Sequence, residues 1–163
     1  MDLFTQSTAV FSDCRLYRYT LRRRWSSGVL GGFVMLNPST ADEFKNDPTI
    51  RRCMGFAMRE GWGGILILNL FAFRATDPKD MTNAVDPVGT ENDRFLIEAS
   101  KEVDGPLVAA WGAHWLAVER SKAVVSMLSR PLVCLGKTAA GSPRHPLYVR
   151  AEAPLIPYAG GAT

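Results

Sequence analysis

Cysteine is scarce in these 163 residues, and the three present do not pair. Cys14, Cys53 and Cys134 are widely spaced, odd in number and free of any C-x-x-C repeat. That excludes a disulfide framework and a four-thiolate zinc or iron–sulfur site, and it points to a reducing compartment. Histidine is scarcer still. His114 and His145 would need patterned carboxylates to complete a metal site, and the sequence shows none, so neither metal nor cofactor is expected. Long apolar runs are also missing. The longest, about 65–73, is interrupted by Asn69 and falls well short of the roughly 20 residues that a bilayer requires. No charged-then-apolar signal segment follows Met1. With no repeat, low-complexity tract or linker, the expectation is one soluble, cytoplasmic domain over residues 1–163, without membrane contact.

Lysine is sparse too, and this shortage is instructive. The 19 basic residues divide into 14 arginines and 5 lysines, against 16 acidic ones, for a net charge of +3. Arginine presents a planar, bidentate fork suited to phosphates and carboxylates, whereas lysine presents a point charge. A phosphate-bearing partner therefore fits the composition. The remainder is ordinary: 47% hydrophobic and 21% charged residues describe a globular chain. A chain of this length buries about two-thirds of its unfolded surface without a covalent staple.

Residues 14–24, CRLYRYTLRRR, alternate loosely and predict one or two strands with an exposed basic side. Gly28, Gly31 and Gly32 lead into a strand at 33–36, which the turn-forming Asn37-Pro38-Ser39-Thr40 ends. Asp47-Pro48 opens a helix as N-cap and first-turn proline, with Ile50, Cys53, Met54 and Ala57 at helical spacing and Gly61 as its stop. Residues 64–68 are apolar throughout, the pattern of a strand covered on both faces. Thr90 and Asp93 make a capping-box-like start to a helix bearing Phe95, Leu96, Ala99 and Val103. An apolar strand at 106–110 follows, then a third helix marked by Leu116, Ala117, Val124, Met127 and Leu128, and a last strand at 131–135. This alternation predicts βαβ units: a three-layer α/β/α sandwich around a central, mainly parallel four-stranded sheet. Ligands of such sheets bind outside the carboxyl ends of the strands. Asn37-Pro38-Ser39, Asn69, Trp111-Gly112 and Arg144-His145-Pro146 fall there.

Each of these residues also has a plain structural reading. Asn37, before a proline, is the usual residue of a turn. Asn69 sits inside an apolar run, where an amide buried without partners costs roughly 1–3 kcal/mol. It either faces a ligand or braces a loop. His145, between Arg144 and Pro146, belongs to an exposed turn, which favours function. His114 at a helix start reads as structural, and Trp111 as core packing. Arg22-Arg23-Arg24 and Arg51-Arg52 read as solvated faces, and Arg120 as a stem laid along an apolar stripe.

Taken in order, four segments resemble the uracil-DNA glycosylase superfamily. V-M-L-N-P-S at 34–39 resembles its first motif, in the version of the mismatch-specific thymine/uracil branch with Asn before the proline. I-L-I-L-N at 65–69 resembles the apolar strand whose terminal Asn reads a pyrimidine edge. L-V-A-A-W-G-A-H at 107–114 is similar to the W-G-x-H stretch, and R-H-P-L-Y-V-R at 144–150 to the C-terminal His–Pro motif. The chain also resembles a bacterial family of domains of unknown function, DUF1643. L-N-P-S-T-A-D, D-P-T-I-R-R-C, N-L-F-A-x-R-A-T-D-P and P-R-H-P-L-Y carry that likeness.

The first resemblance implies a uracil-DNA glycosylase-like fold and hydrolysis of the N-glycosidic bond of a damaged or modified base, in DNA or in a nucleotide. It implies Asn37 and His145 as catalytic residues, Asn37 placing water at the sugar and His145 donating to the base oxygen. Asn69 would pair with the base, since a side-chain amide offers both donor and acceptor. Pro38, Ser39, Arg74, Arg144 and Leu147 complete the implied substrate contacts. Leu147 would be the wedge behind a flipped base, and Arg144 with Arg150 would meet phosphates. Two departures matter. The glycine opening the first motif is Met35, and Asn37 cannot accept a proton as a carboxylate does, so water activation would be weaker, with Asp42, Asp47 or Asp77 as the alternative carboxylates. They favour a second expectation, a non-catalytic nucleobase- or nucleic-acid-binding module. Under both, the partner is a nucleic acid or a nucleotide. A third reading is an unrelated small-molecule enzyme in which Asn37, Asn69 and His145 stand apart.

Overall fold

The apolar strands alternate their side chains between two layers, and that alternation sets the architecture. The structure is a computed structural model and describes residues 6–159. The opening stretch read for a signal segment and the end of the glycine-containing tail, residues 1–5 and 160–163, lie outside the described residues. The strands are β1 (Gln6–Phe11), β2 (Arg18–Arg24), β3 (Leu30–Met35), β4 (Gly64–Asn69), β5 (Leu107–Ala109), β6 (Leu132–Cys134) and β7 (Ile156–Tyr158). They form one sheet in the order β1-β2-β4-β3-β5-β6-β7. The central β4, β3, β5 and β6 are parallel, while β1 with β2, β2 with β4, and β6 with β7 pair antiparallel.

The expectation of a mainly parallel four-stranded, glycosylase-like sandwich is thereby corrected: the sheet is mixed and seven-stranded. The added strands are quiet in sequence for physical reasons. β1 alternates exposed and half-buried residues and has no apolar run, and β7 is three residues around Pro157. β2 is legible as a strand, but its basic side is not exposed. Arg18 and Arg23 are only 2% and 1% exposed.

The helices are α1 (Pro48–Arg59), α2 (Pro78–Thr82), α3 (Asn92–Ser100) and α4 (Ala117–Leu128), with a 3-10 turn at Pro146–Tyr148. Val34, Leu66 and Leu68 face α3 and α4, packing with Leu96, Ala99, Val124 and Leu128. Phe33, Met35, Ile65 and Ile67 face the other way, packing with Ile50, Cys53, Phe56 and Ala57 of α1. Asp47 caps α1 as the Asp47-Pro48 pair predicts, its side chain accepting from the Ile50 amide at 2.9 Å. The capping box at Thr90 and Asp93 does not form. α3 begins at Asn92 with no side-chain cap, and Asp93 instead accepts from Arg120 at 2.6 Å. The chain passes from β3 through α1 to β4, then crosses to the other side of β3 through α3 to β5. Such a reversal leaves a crevice at the carboxyl ends of the strands.

The arginine surplus is spent largely inside the fold. Among the described residues, ten of the fourteen arginines donate side-chain hydrogen bonds to backbone carbonyls. Arg130 ties the end of α3 to β5 through the carbonyls of Ser100, Val103 and Gly105. The solvated faces expected at 22–24 and 51–52 therefore fail at Arg23, which is buried, and at Arg52, which reaches the carbonyls of Pro146 and Val149. Arg120 does more than lay its stem on apolar surface, since its Nε donates to the Leu70 carbonyl at 2.8 Å. Among the described residues, no helix is long and apolar enough to cross a membrane.

Candidate functional site

All four parallel strands send their carboxyl ends to one cavity of about 560 Å³. β3 delivers Met35, Asn37 and Ser39, and β4 ends on Asn69. The loop after β5 brings Trp111, Gly112 and His114, and the loop after β6 brings Arg144, His145 and Leu147. Asn37, Ser39, Asn69, Arg144, His145 and Leu147 thus line one cavity. Pro38 and Arg74 do not line it. Pro38 is buried and turns its carbonyl to the Ala75 amide at 2.9 Å, while Arg74 lies in a neighbouring depression. Arg150 is exposed and outside the lining.

Asn69 is fully buried, and neither Nδ2 nor Oδ1 of its amide has a hydrogen-bond partner among the described residues. Its backbone is fixed from the opposite layer. Asn92 Nδ2 donates to the Asn69 and Leu70 carbonyls at 3.0 and 3.1 Å, and Arg120 also donates to Leu70. A donor and an acceptor are therefore held at the base of the cavity, rigid and unsatisfied. Asn37 differs: its Nδ2 donates to the carbonyls of Ala75 at 2.9 Å and Pro38 at 3.1 Å. The turn reading is right for that nitrogen, and Oδ1 is the atom it leaves for a ligand or water.

His145 is half-buried, not exposed as its sequence context implies, because Arg52 of α1 draws the following turn inward. Its Nδ1 accepts from the Leu147 amide at 3.2 Å, so the neutral ring carries its proton on Nε2. Burial pushes the imidazole below its ordinary range, and the charge of Asp47 only partly opposes this. The neutral ring has a consequence for stability. With the folded-state pKa below the ordinary 6.5, the unfolded chain takes up the proton first on acidification. The contribution of the neutral ring is whole above about pH 6.5 and is lost as pH falls through the folded-state value. Thermal melts between pH 7.5 and 5 are expected to show this loss, and to show a shallower one in His145→Gln. Equal slopes would contradict the assignment.

Sequence reasoning missed one charged residue of the cavity, Arg18, and named the other, Asp47, as one of three candidate carboxylates. Arg18 donates from Nη1 to the Ala41 carbonyl at 2.9 Å, and its buried Nε has no partner among the described residues. Burial lowers its pKa to about 10 while Asp47 opposes the shift, so it remains a cation at neutral pH. Asp47 accepts from the Ile50 amide on Oδ1 and from the Ala41 amide on Oδ2. Its capping role is legible in the Asp47-Pro48 pair; that the cap opens onto the cavity depends on where the sheet puts α1. Arg18 sits in a basic run that carries no signal of burial.

The remaining walls are structural groups with one side on the cavity. Trp111 is buried edge-to-face against Tyr158, with centroids 5.5 Å apart, as core packing predicts. Gly112 adopts φ +77, where a side chain is strained, and its amide donates to the Pro143 carbonyl at 2.9 Å. That bond ties the β5 and β6 loops together. His114 Nδ1 accepts from the Leu116 amide at 3.1 Å, which suits its structural reading.

No curated protein and no solved structure matches the chain. One family model, described as a protein of unknown function (DUF1643), matches residues 18–147. That span runs from Arg18 to Leu147 and includes every residue lining the cavity except Tyr148. The chain therefore belongs to the DUF1643 family of proteins of unknown function.

Proposed function

We propose that the cavity binds a nucleobase, and that the protein hydrolyses the N-glycosidic bond of a damaged or modified base carried by DNA or by a nucleotide. Asn69 carries the reading. Its buried amide lacks a partner among the described residues, a state that costs roughly 1–3 kcal/mol until a ligand supplies the complement. A pyrimidine edge, with a ring N–H beside a carbonyl, is such a complement. The Nε2–H of His145 is then the donor for the oxygen that gains charge as the base departs. Oδ1 of Asn37 accepts from a water directed at the sugar. In the step, water oxygen bonds to the anomeric carbon and the C–N electron pair leaves with the base. The water proton follows to the base. The likeness of four ordered segments to the uracil-DNA glycosylase superfamily supports the same roles, with Leu147 and Arg144 at the mouth.

A second reading, base binding without turnover, is favoured by one observation. Both oxygens of Asp47, the carboxylate lining this cavity, are engaged by backbone amides, so no uncommitted general base lines it among the described residues. Incubating the protein with a panel of modified oligonucleotides and nucleotides, and assaying abasic sites and free base, separates the two. Release that falls in both Asn37→Ala and His145→Ala is the expected result. Tight binding with no release would move the conclusion to the second reading, and release indifferent to both changes would displace the site.

A further inference from the structure

A shallower depression of about 320 Å³ adjoins the main cavity, and the two share Ser39, Ala75 and Thr76. Lys45 and Arg74 line it, with Asp42 as its one carboxylate. That carboxylate is already engaged: Oδ1 accepts from the Phe44 amide at 2.8 Å and the Lys45 amide at 2.9 Å. These backbone bonds, with the charges of Lys45 and Arg74, hold Asp42 below the usual carboxylate range. The cations outnumber it, so the depression is positive on balance.

Arg74 is held in place for contact on one edge. Its Nη1 donates to the Arg15 carbonyl at 3.2 Å, and its guanidinium lies over the Phe11 ring, 4.7 Å from the centroid. Among the described residues, no acceptor takes its Nε or Nη2. The hydroxyls of Ser39 and Thr76 stand 3.2 Å apart, on the boundary where the two spaces meet.

We infer that this depression is a phosphate subsite, in which Arg74, Lys45 and the Ser39 and Thr76 hydroxyls hold the phosphate ester of a nucleotide whose base enters the main cavity. The base part rests on the nucleobase reading above; the anion part rests on the depression itself. A guanidinium edge with two donors matches two phosphate oxygens, Lys45 adds a point charge, and hydroxyls donate to the third oxygen. A mononucleotide presents a phosphomonoester here and a polynucleotide link a phosphodiester; both offer the two oxygens that the guanidinium edge takes, and only the monoester has the third.

The test compares deoxyuridine, its 5′-monophosphate, a short single-stranded oligonucleotide containing dU, and inorganic phosphate, by calorimetry and phosphorus NMR. The monophosphate is expected to bind about tenfold more tightly than the nucleoside, the margin of one charge-assisted contact pair. Arg74→Gln and Lys45→Gln should each bring that ratio towards one. Inorganic phosphate should bind weakly and lose its binding in Arg74→Gln. An oligonucleotide that outcompetes the monophosphate assigns the ester to a strand, and the reverse assigns it to a free nucleotide. Equal affinities for nucleoside and monophosphate, or a margin that survives both substitutions, would overturn the subsite while leaving the nucleobase reading intact. Arg74-dependent phosphate binding without any nucleoside binding would do the opposite, and no binding of any probe would remove both.

Discussion

Asn69→Leu is expected to weaken nucleobase binding by about 100-fold and to leave the protein as stable as before or more so, by up to roughly 2 kcal/mol. The two effects have one cause. Leucine keeps the branched outline of asparagine's side chain, and its extra apolar volume extends into a cavity that Ile67 and Trp111 also line. It removes a donor and an acceptor that no described residue satisfies. A buried polar group without a partner is a cost to the folded state, so its deletion relieves the free protein. The same deletion takes both complementary bonds from the ligand. At about 2–4 °C per kcal/mol for a chain of this size, the gain reaches several degrees in a thermal melt. A loss of more than about 1 kcal/mol would show the amide to be a structural brace, since bonded amides are what destabilise on removal. Binding that survives unchanged would mean that the ligand sits elsewhere.

Arg23→Met should cost about 4 kcal/mol, seen as a melting temperature lower by roughly 10 °C. An exposed arginine in a basic run would cost less than about 0.5 kcal/mol. The difference lies in where Arg23 points. It is 1% exposed, and its guanidinium donates to Asn46 Oδ1 at 2.9 Å and to the carbonyls of Arg22, Asp42 and Lys45. Methionine preserves the stem and leaves these acceptors without their donor. Bonds from a charged donor are worth about 1.5–3 kcal/mol each, and they are not additive. Three of the four acceptors, on Asp42, Lys45 and Asn46, lie in the segment between Ser39 and Asp47, both of which line the cavity, so ligand affinity should fall with stability. Lysine, with one small head group, cannot reach all four and should not rescue. A loss below about 1 kcal/mol would return Arg23 to the surface class.

The sequence was legible where the deciding interactions are local, except at Thr90 and Asp93, where the distant Arg120 takes the carboxylate. The Asp47-Pro48 start of α1, the doubly covered β4 and the apolar stripes of α3 and α4 depend on spacing within one segment. Asn37, Asn69 and His145 stood out because polar residues at the ends of apolar strands are few, and the parallel strands carry them to one place. What stayed hidden depends on distant partners. β1 exists because β2 offers it an edge, and β7 because β6 does. Arg18 and Arg23 are buried because the 39–47 segment folds over β2. A basic run looks the same whether water or a loop covers it. The half-burial of His145 likewise follows from Arg52, remote in sequence.

Arg52 has one more effect, on how freely the cavity can change shape. α1 supplies Asp47 and Ile50 to the wall at its start, and through Arg52 it grips the turn that follows His145. Cavity width and imidazole position therefore ride on one rigid rod. A substitution that tilts α1 alters both together, which makes this side costly to vary. The loop after β5 restricts the imidazole from its other neighbour: Gly112 holds φ +77, and a Cβ there would stand 3.6 Å from that of His145, so neither loop packed on the ring is free to vary alone.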